Sequence, residues 1–180
     1  MEYTKNDCIR DTKEHIAQVR EFMLIFAQGL IQRALVHDHS KLQSPELEIF
    51  TKYTPKLKNS TYGSDEYKTF LKEMQVALKH HYENNSHHPE HYKKYVCNGC
   101  FIEYKEHLNT CSCGYSHFQE EPDIKQMDLL DIVEMICDWK AATMRHADGD
   151  IEKSIDINQK RFKYSSDLAE IFHNTVKLFN

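Results

Sequence analysis

The stretch Leu35–Leu42, "LVHDHSKL", decides how this chain is read. Two histidines, an aspartate, a serine and a lysine stand in five consecutive positions, directly after an apolar run. His37 and Asp38 are neighbours, and neighbours on a regular helix point about 100° apart. Both can face one ion only at a helix end or distortion. Upstream, residues 11–36 repeat apolar side chains at helical spacing: Ile16, Val19, Phe22, Met23, Phe26 and Leu30. Asp11 or Thr12 is expected to cap that helix, and Gly29 is a candidate break. The motif thus falls where a helix is expected to stop.

Outward from it, the chain continues to read as helix. Ser44-Pro45-Glu46 has the form of a helix start, a serine cap followed by proline, and that helix should end before Pro55. Residues 56–63 read as loop. After Ser64, Tyr67, Phe70, Leu71, Met74, Ala77 and Leu78 mark a helix running toward "HHYENNSHHPEHY", with Pro89 its latest end. Helix returns from Gln126, with acids breaking its apolar face. Asp148-Gly149-Asp150 reads as a turn. Residues 151–180 read as one or two amphipathic helices, with Leu168, Ile171, Phe172, Val176 and Phe179 inward. The fold class expected is all-α.

Residues 92–123 differ in composition, with four cysteines and two glycines. Cys97-x-x-Cys100 and Cys111-x-Cys113 have the spacing of a tetrahedral four-thiolate zinc site, and a structural zinc is expected there. The domains expected are a helical body, 1–91 and 124–180, and this inserted module, 92–123. Between Cys97 and His117 there are one lysine, no arginine and two glutamates. That argues against a nucleic-acid-binding ribbon and for a lid or interaction knob.

The 180 residues carry a net charge of −5, six cysteines and 12 histidines. A phosphate-backbone binder would usually be basic. The longest early apolar run, "FMLIFA", is far short of the roughly 20 residues that span a bilayer. The reading is a cytoplasmic protein with reduced thiols, no membrane association, and a homo-oligomer as a candidate state.

The candidate metal ligands are His15, the pair His37 and Asp38, the cluster His80, His81, His87 and His88, and Asp138. Imidazole with carboxylate suits Mn, Fe, Co, Ni or Zn. His81 and His88 are seven apart, as are His80 and His87; both pairs are open. Asp131, Glu134 and Asp138 form an acid stripe beside Trp139, costly unless paired or metal-bound.

A histidine, a His-Asp pair and a late aspartate on helices resemble the HD superfamily of metal-dependent phosphohydrolases. "HDHSK" is similar to the His-Asp-x-Gly-Lys form of its phosphodiesterase branch, with Ser40 in place of glycine. The layout "EHIAQV", "RALVHDHSKL", "HHYENNSHHPE" and "EMICDWKA" resembles, more closely, a small uncharacterised family of bacteria and phages. The resemblance implies an HD-like helical bundle holding one or two divalent transition metals. His37, Asp38 and Asp138 would hold the first, with His15 as fourth ligand; one or more of His81, His87 and His88 would serve a second. Asp38 would also bridge the ions or orient water, Glu134 would act as orienter or base, and Lys41 would meet phosphate; apart from the resemblance, Lys140 follows Asp138 on the same expected helix and is a further candidate to reach a phosphate. The implied substrate is a small phosphate ester, a nucleotide by analogy. Two alternatives stand beside it: a non-catalytic metal-stabilised nucleotide- or partner-binding protein, and an HD-like di-iron oxygenase. His15 fits only if the chain turns back near Gly29.

Overall fold

A computed structural model describes residues 2–61, 64–145 and 149–179. They form two compact units, Met1–His37 and Asp38–Asn180. The units divide at the His-Asp pair; the cysteine module lies inside the second.

The first unit is one helix, α1 (Lys5–Val36), of 32 residues. It begins earlier than the sequence suggests because Thr4, not Asp11 or Thr12, is its cap. The Thr4 hydroxyl accepts from the Asp7 amide at 3.2 Å, and the Asp7 carboxylate accepts from the Thr4 amide at 3.0 Å. Asp11 instead accepts from the Tyr3 hydroxyl at 2.8 Å. Gly29 does not break the helix. One interior glycine costs about 1 kcal/mol, which the long flanking turns carry.

The second unit begins with a 3-10 turn at His39–Leu42. Helix α2 (Glu46–Asn59) follows and runs through Pro55, past the end expected for it. Thr51 donates its hydroxyl to the Leu47 carbonyl at 2.6 Å one turn ahead of that proline. The single helix expected after Ser64 is two, α3 (Asp65–Glu73) and α4 (Gln75–Asn84). Met74 joins them at φ −90°, ψ 6°, and is wholly buried. Burying that side chain favours the bend by roughly 1.5–3 kcal/mol.

The cysteine module carries three strands, β1 (Lys93–Cys97), β2 (Glu103–Tyr104) and β3 (Phe118–Pro122). They make an antiparallel sheet in the order β2-β1-β3. The chain is therefore mostly helical with a small sheet, rather than all-α. Lys94 is buried in that sheet, and its ammonium reaches Glu103 at 2.5 Å.

Helices α5 (Leu129–Thr143), α6 (Ile151–Phe162) and α7 (Ser166–Val176) close the unit. Their shared core is Met135, Ile136, Ile155, Phe162, Tyr164, Ala169, Phe172 and Val176. Trp139 stacks on Phe162 at 6.3 Å and meets Phe172 edge-on at 6.0 Å. Ile171 and Phe179, expected inward, are exposed: the core-facing stripe of α7 passes through Ala169, Phe172 and Val176, and Phe179 lies in a 3-10 turn beyond that helix. The turn expected at 148–150 includes Asp148, which lies outside the described residues. Among the described residues, no helix is long and apolar enough to cross a membrane.

Candidate metal centre

The site grows from the break that follows α1. His37 is the C-cap of that helix at φ −47°, ψ 127°. Asp38 is left-handed at φ 56°, ψ 18°. Aspartate tolerates that region better than most side chains, and such residues cluster at functional sites. The Lys41 amide donates to the Asp38 carbonyl at 2.9 Å, closing the turn. Lys41 Nζ also donates to Asp38 Oδ2 at 2.5 Å. The second oxygen, Oδ1, faces His81 Nε2 at 3.4 Å and His87 Nε2 at 3.6 Å.

The histidines converge by a chain reversal, not by sharing a helix face. Helix α4 stops at Asn84, so the seven-residue spacing of His81 and His88 is not helical. Asn85 ends the helix: its amide nitrogen donates to the His81 carbonyl and to Ser40 Oγ, both at 2.8 Å. Ser86 donates to Asp131 at 2.6 Å. Pro89 opens a short 3-10 turn, and His91 bonds the Tyr82 carbonyl at 2.8 Å. The doubled-back chain sets the His88 ring 4.6 Å from His81 and 4.1 Å from His87. Asp38, His81, His87 and His88 each offer one ligand atom, all within 4.8 Å of one another.

Two carboxylates stand behind the rings. His81 Nδ1 lies 2.9 Å from Glu46 Oε2. His87 Nδ1 lies 3.2 Å from Glu134 Oε1. With Nδ1 engaged on each ring, Nε2 is the atom presented toward Asp38. Metal-binding histidines are characteristically held in this way. His81 Nε2 and His88 Nε2 are 2.8 Å apart, and two lone pairs that close repel unless a proton or a cation lies between them. Two ligands each about 2.1 Å from a tetrahedral ion lie about 3.4 Å apart. The Asp38–histidine separations match that spacing, so the donor set fits a divalent transition metal.

Electrostatics favour neutral rings at His81 and His88. Burial pushes the His88 imidazole down to about 2, with His87, His81 and Lys41 acting in the same direction and Asp138 against it. Burial also lowers His81, helped by Lys41 and opposed by Asp38 and Glu46. Neutral imidazole is the form that ligates.

The acid stripe of α5 divides by role. Asp131 is buried and accepts from Ser86 and Tyr92 hydroxyls, each at 2.6 Å, and from the Asp128 amide at 3.1 Å. Its cost is met structurally. Glu134 turns to His87, and Asp138 lies close enough to act on His88.

Three expected participants do not join. His15 lies 22 residues before His37 on an unbroken helix, about 33 Å along its axis, and cannot share an ion with it. His80 sits behind the site, with Nδ1 2.7 Å from Glu46 Oε1. Lys140 follows Asp138 by two residues on α5, about 200° round the helix, on the side away from it. Sequence reasoning missed Glu46, Ser40 and Asn85. Glu46 was read only as the start of a helix, and its burial beside two histidines is a long-range fact.

The four cysteines also come together. Cys97 Sγ is 3.5 Å from Cys113 Sγ, and Cys100 Sγ is 3.4 Å from Cys111 Sγ. A disulfide would need about 2.05 Å, whereas thiolates round a tetrahedral zinc lie about 3.8 Å apart. All four sulfurs lie within 4.8 Å of one another. The Gly99 amide donates to Cys97 Sγ at 3.3 Å. The Cys113 backbone amide and the Tyr104 hydroxyl hold the Cys111 thiol down to about 5, while desolvation and the neighbouring sulfurs push Cys100 up to about 12 and Cys111 raises Cys113, so the metal-free cluster places its first negative charge on Cys111. A thiolate at neutral pH is the form a metal takes.

Comparison with curated proteins and with solved structures gives no match. A family model matches residues 4–179, nearly the whole chain, and is described as a family of unknown function, DUF5662. The helices, the paired histidines and the four-cysteine module all fall inside that span, and the chain therefore belongs to the DUF5662 family.

Proposed function

We propose that this protein is a metal-dependent phosphohydrolase of the HD type, acting on a small phosphate ester with a nucleotide as the favoured class. One observation carries the reading. Asp38 Oδ1 faces the Nε2 atoms of His81 and His87, whose Nδ1 atoms are held by Glu46 and Glu134. Donors backed in this way suit an ion better than a solvated helix end. His81, His87, His88 and Asp38 would hold it. His37, one peptide bond from Asp38 at a broken helix end, and Asp138 on α5 are proposed as further ligands. A divalent cation there would supply Lewis acidity toward a phosphoryl oxygen and a nucleophile at neutral pH.

The chain's own groups have separate tasks. Lys41 places an ammonium against the Asp38 carboxylate, where it would also neutralise charge on phosphate. Glu134 orients His87. The nucleotide preference rests on the resemblance to the HD superfamily, not on a base-reading residue. The four cysteines are proposed to hold a structural zinc that folds a segment too small for its own core.

Phosphate release tests this. Purified protein is assayed on nucleoside mono-, di- and triphosphates and on aryl phosphate mono- and diesters, with Mn, Fe, Co, Ni or Zn. Release that disappears in folded His37→Ala and Asp38→Ala supports hydrolysis. Tight nucleotide binding without turnover replaces it with sequestration. An iron-dependent oxidised-centre absorption without phosphate release replaces it with an oxygenase.

A further inference from the structure

Glu46 is a carboxylate with 0% of its surface exposed. Leaving an ionised carboxylate in such a place costs several kcal/mol unless both oxygens are bonded. Both are: Oε1 meets His80 Nδ1 at 2.7 Å and Oε2 meets His81 Nδ1 at 2.9 Å. Its position in the first turn of α2 favours an anion, yet the side chain is spent on α4 rather than on that helix's own amides.

His81 Nδ1 has two further neighbours, Asn85 Nδ2 at 3.0 Å and Ser40 Oγ at 3.3 Å. Nδ1 has one in-plane position, so it either donates to Glu46, its nearest partner, or accepts from Asn85 or the more distant Ser40 hydroxyl. The two Asn85 amide protons have nearer acceptors, the His81 carbonyl and Ser40 Oγ, both at 2.8 Å. A lone pair on Nδ1 would face the Glu46 carboxylate. Donation from Nδ1–H to Glu46 is the assignment that keeps a lone pair off that buried carboxylate and gives its Oε2 a donor.

We propose that Glu46 is a positioning residue of the His/Asp site: it accepts Nδ1–H from His81, fixes that tautomer, and turns the Nε2 lone pair toward Asp38 and the ion. The inference rests on the metal reading above. His80 shares the carboxylate and holds it in place, while its own ring is 38% exposed. The sequence therefore uses the adjacent pair His80-His81 as one residue behind the site and one in it.

The test reads tautomer and metal affinity separately. Long-range proton–nitrogen NMR of the metal-free protein above pH 7.5 reports the His81 tautomer directly. Mn²⁺ alone is then titrated into protein carrying one equivalent of zinc, since carboxylate and imidazole suit Mn²⁺ and thiolate does not. The expected result is Nδ1–H at His81 in the wild type. Glu46→Ala should lose that tautomer and weaken Mn²⁺ binding about 10–100-fold. Glu46→Gln, which keeps an acceptor oxygen, should recover the tautomer and much of the affinity, and it serves where the alanine variant does not fold. Nε2–H at His81 in the wild type overturns the proposal. So does a folded alanine variant that binds Mn²⁺ within twofold of wild type. A wild type with Nδ1–H that binds no Mn²⁺ refutes the metal reading and, with it, the positioning role.

Discussion

Replacing Asp131 by alanine separates the structural acid of α5 from its neighbours. The carboxylate is 1% exposed and accepts from Ser86 Oγ at 2.6 Å, Tyr92 Oη at 2.6 Å and the Asp128 amide at 3.1 Å. Hydrogen bonds to a charged group contribute roughly 1.5–3 kcal/mol each, and those sharing one carboxylate do not add fully. Truncation also leaves two hydroxyls and a cap amide to find new partners. The loss should be roughly 3–5 kcal/mol, a large fraction of a domain's stability. Asp131→Asn keeps one acceptor oxygen, and the facing hydroxyls can rotate; it should lose about half as much. The consequence reaches the site, because Ser86 and Tyr92 flank the turn bearing His87 and His88. Asp131→Ala should therefore also weaken metal binding, even in the fraction that remains folded. Urea unfolding followed by fluorescence of Trp139, the single tryptophan, measures the stability change. A loss below about 1 kcal/mol would refute the assignment of Asp131 as the anchor of that turn.

Other perturbations have equally definite outcomes. Stripping zinc with a chelator, or Cys100→Ser, should abolish the antiparallel signal of β1–β3 in amide exchange while the α5–α7 core stays protected; an unchanged sheet sinks the zinc reading. Stability of the metal-free protein should fall as pH drops below the ordinary imidazole value of 6.5. The His81 and His88 rings are both lowered in the fold, so the unfolded chain binds more protons there. The slope should approach about 1.4 kcal/mol per pH unit for each of the two imidazoles, with no such slope above neutrality. Phe172→Ala removes a ring that is 1% exposed, packed on Trp139 and Tyr164, and should cost roughly 3–5 kcal/mol in thermal or urea unfolding. Glu134→Gln should leave unfolding nearly unchanged, in contrast to Asp131→Ala, but should weaken Mn²⁺ binding; equal effects on both measurements would contradict the division of roles.

Local patterns were legible and distant ones were not. The four cysteines could be grouped from spacing alone, because gaps of two residues between Cys97 and Cys100 and of one between Cys111 and Cys113 keep each pair of sulfurs close on a tight turn. The end of α1 at "VHD" was legible because the apolar helical repeat of 11–36 gives way there to five polar residues, and Asp38 is left-handed at that point. The start of α1 was misplaced because Asp11 and Thr12 also look like caps; the reciprocal Thr4–Asp7 bonds settled it. His15 looked like a ligand on order alone, and the unbroken helix through Gly29 removed it.

By itself the sequence determined residue chemistry: helical periodicity, thiolate pairs, and a supply of imidazole and carboxylate. Those depend on neighbours a few positions away, where chain geometry is nearly fixed. The tertiary structure alone decided which side chains face one another. His80 and His81 are adjacent in sequence, yet one backs Glu46 and the other fronts Asp38, because the ring directions follow how α4 lies on α2. Glu46 and His81 are 35 positions apart, and no local rule carries a carboxylate that far; packing of the two helices does.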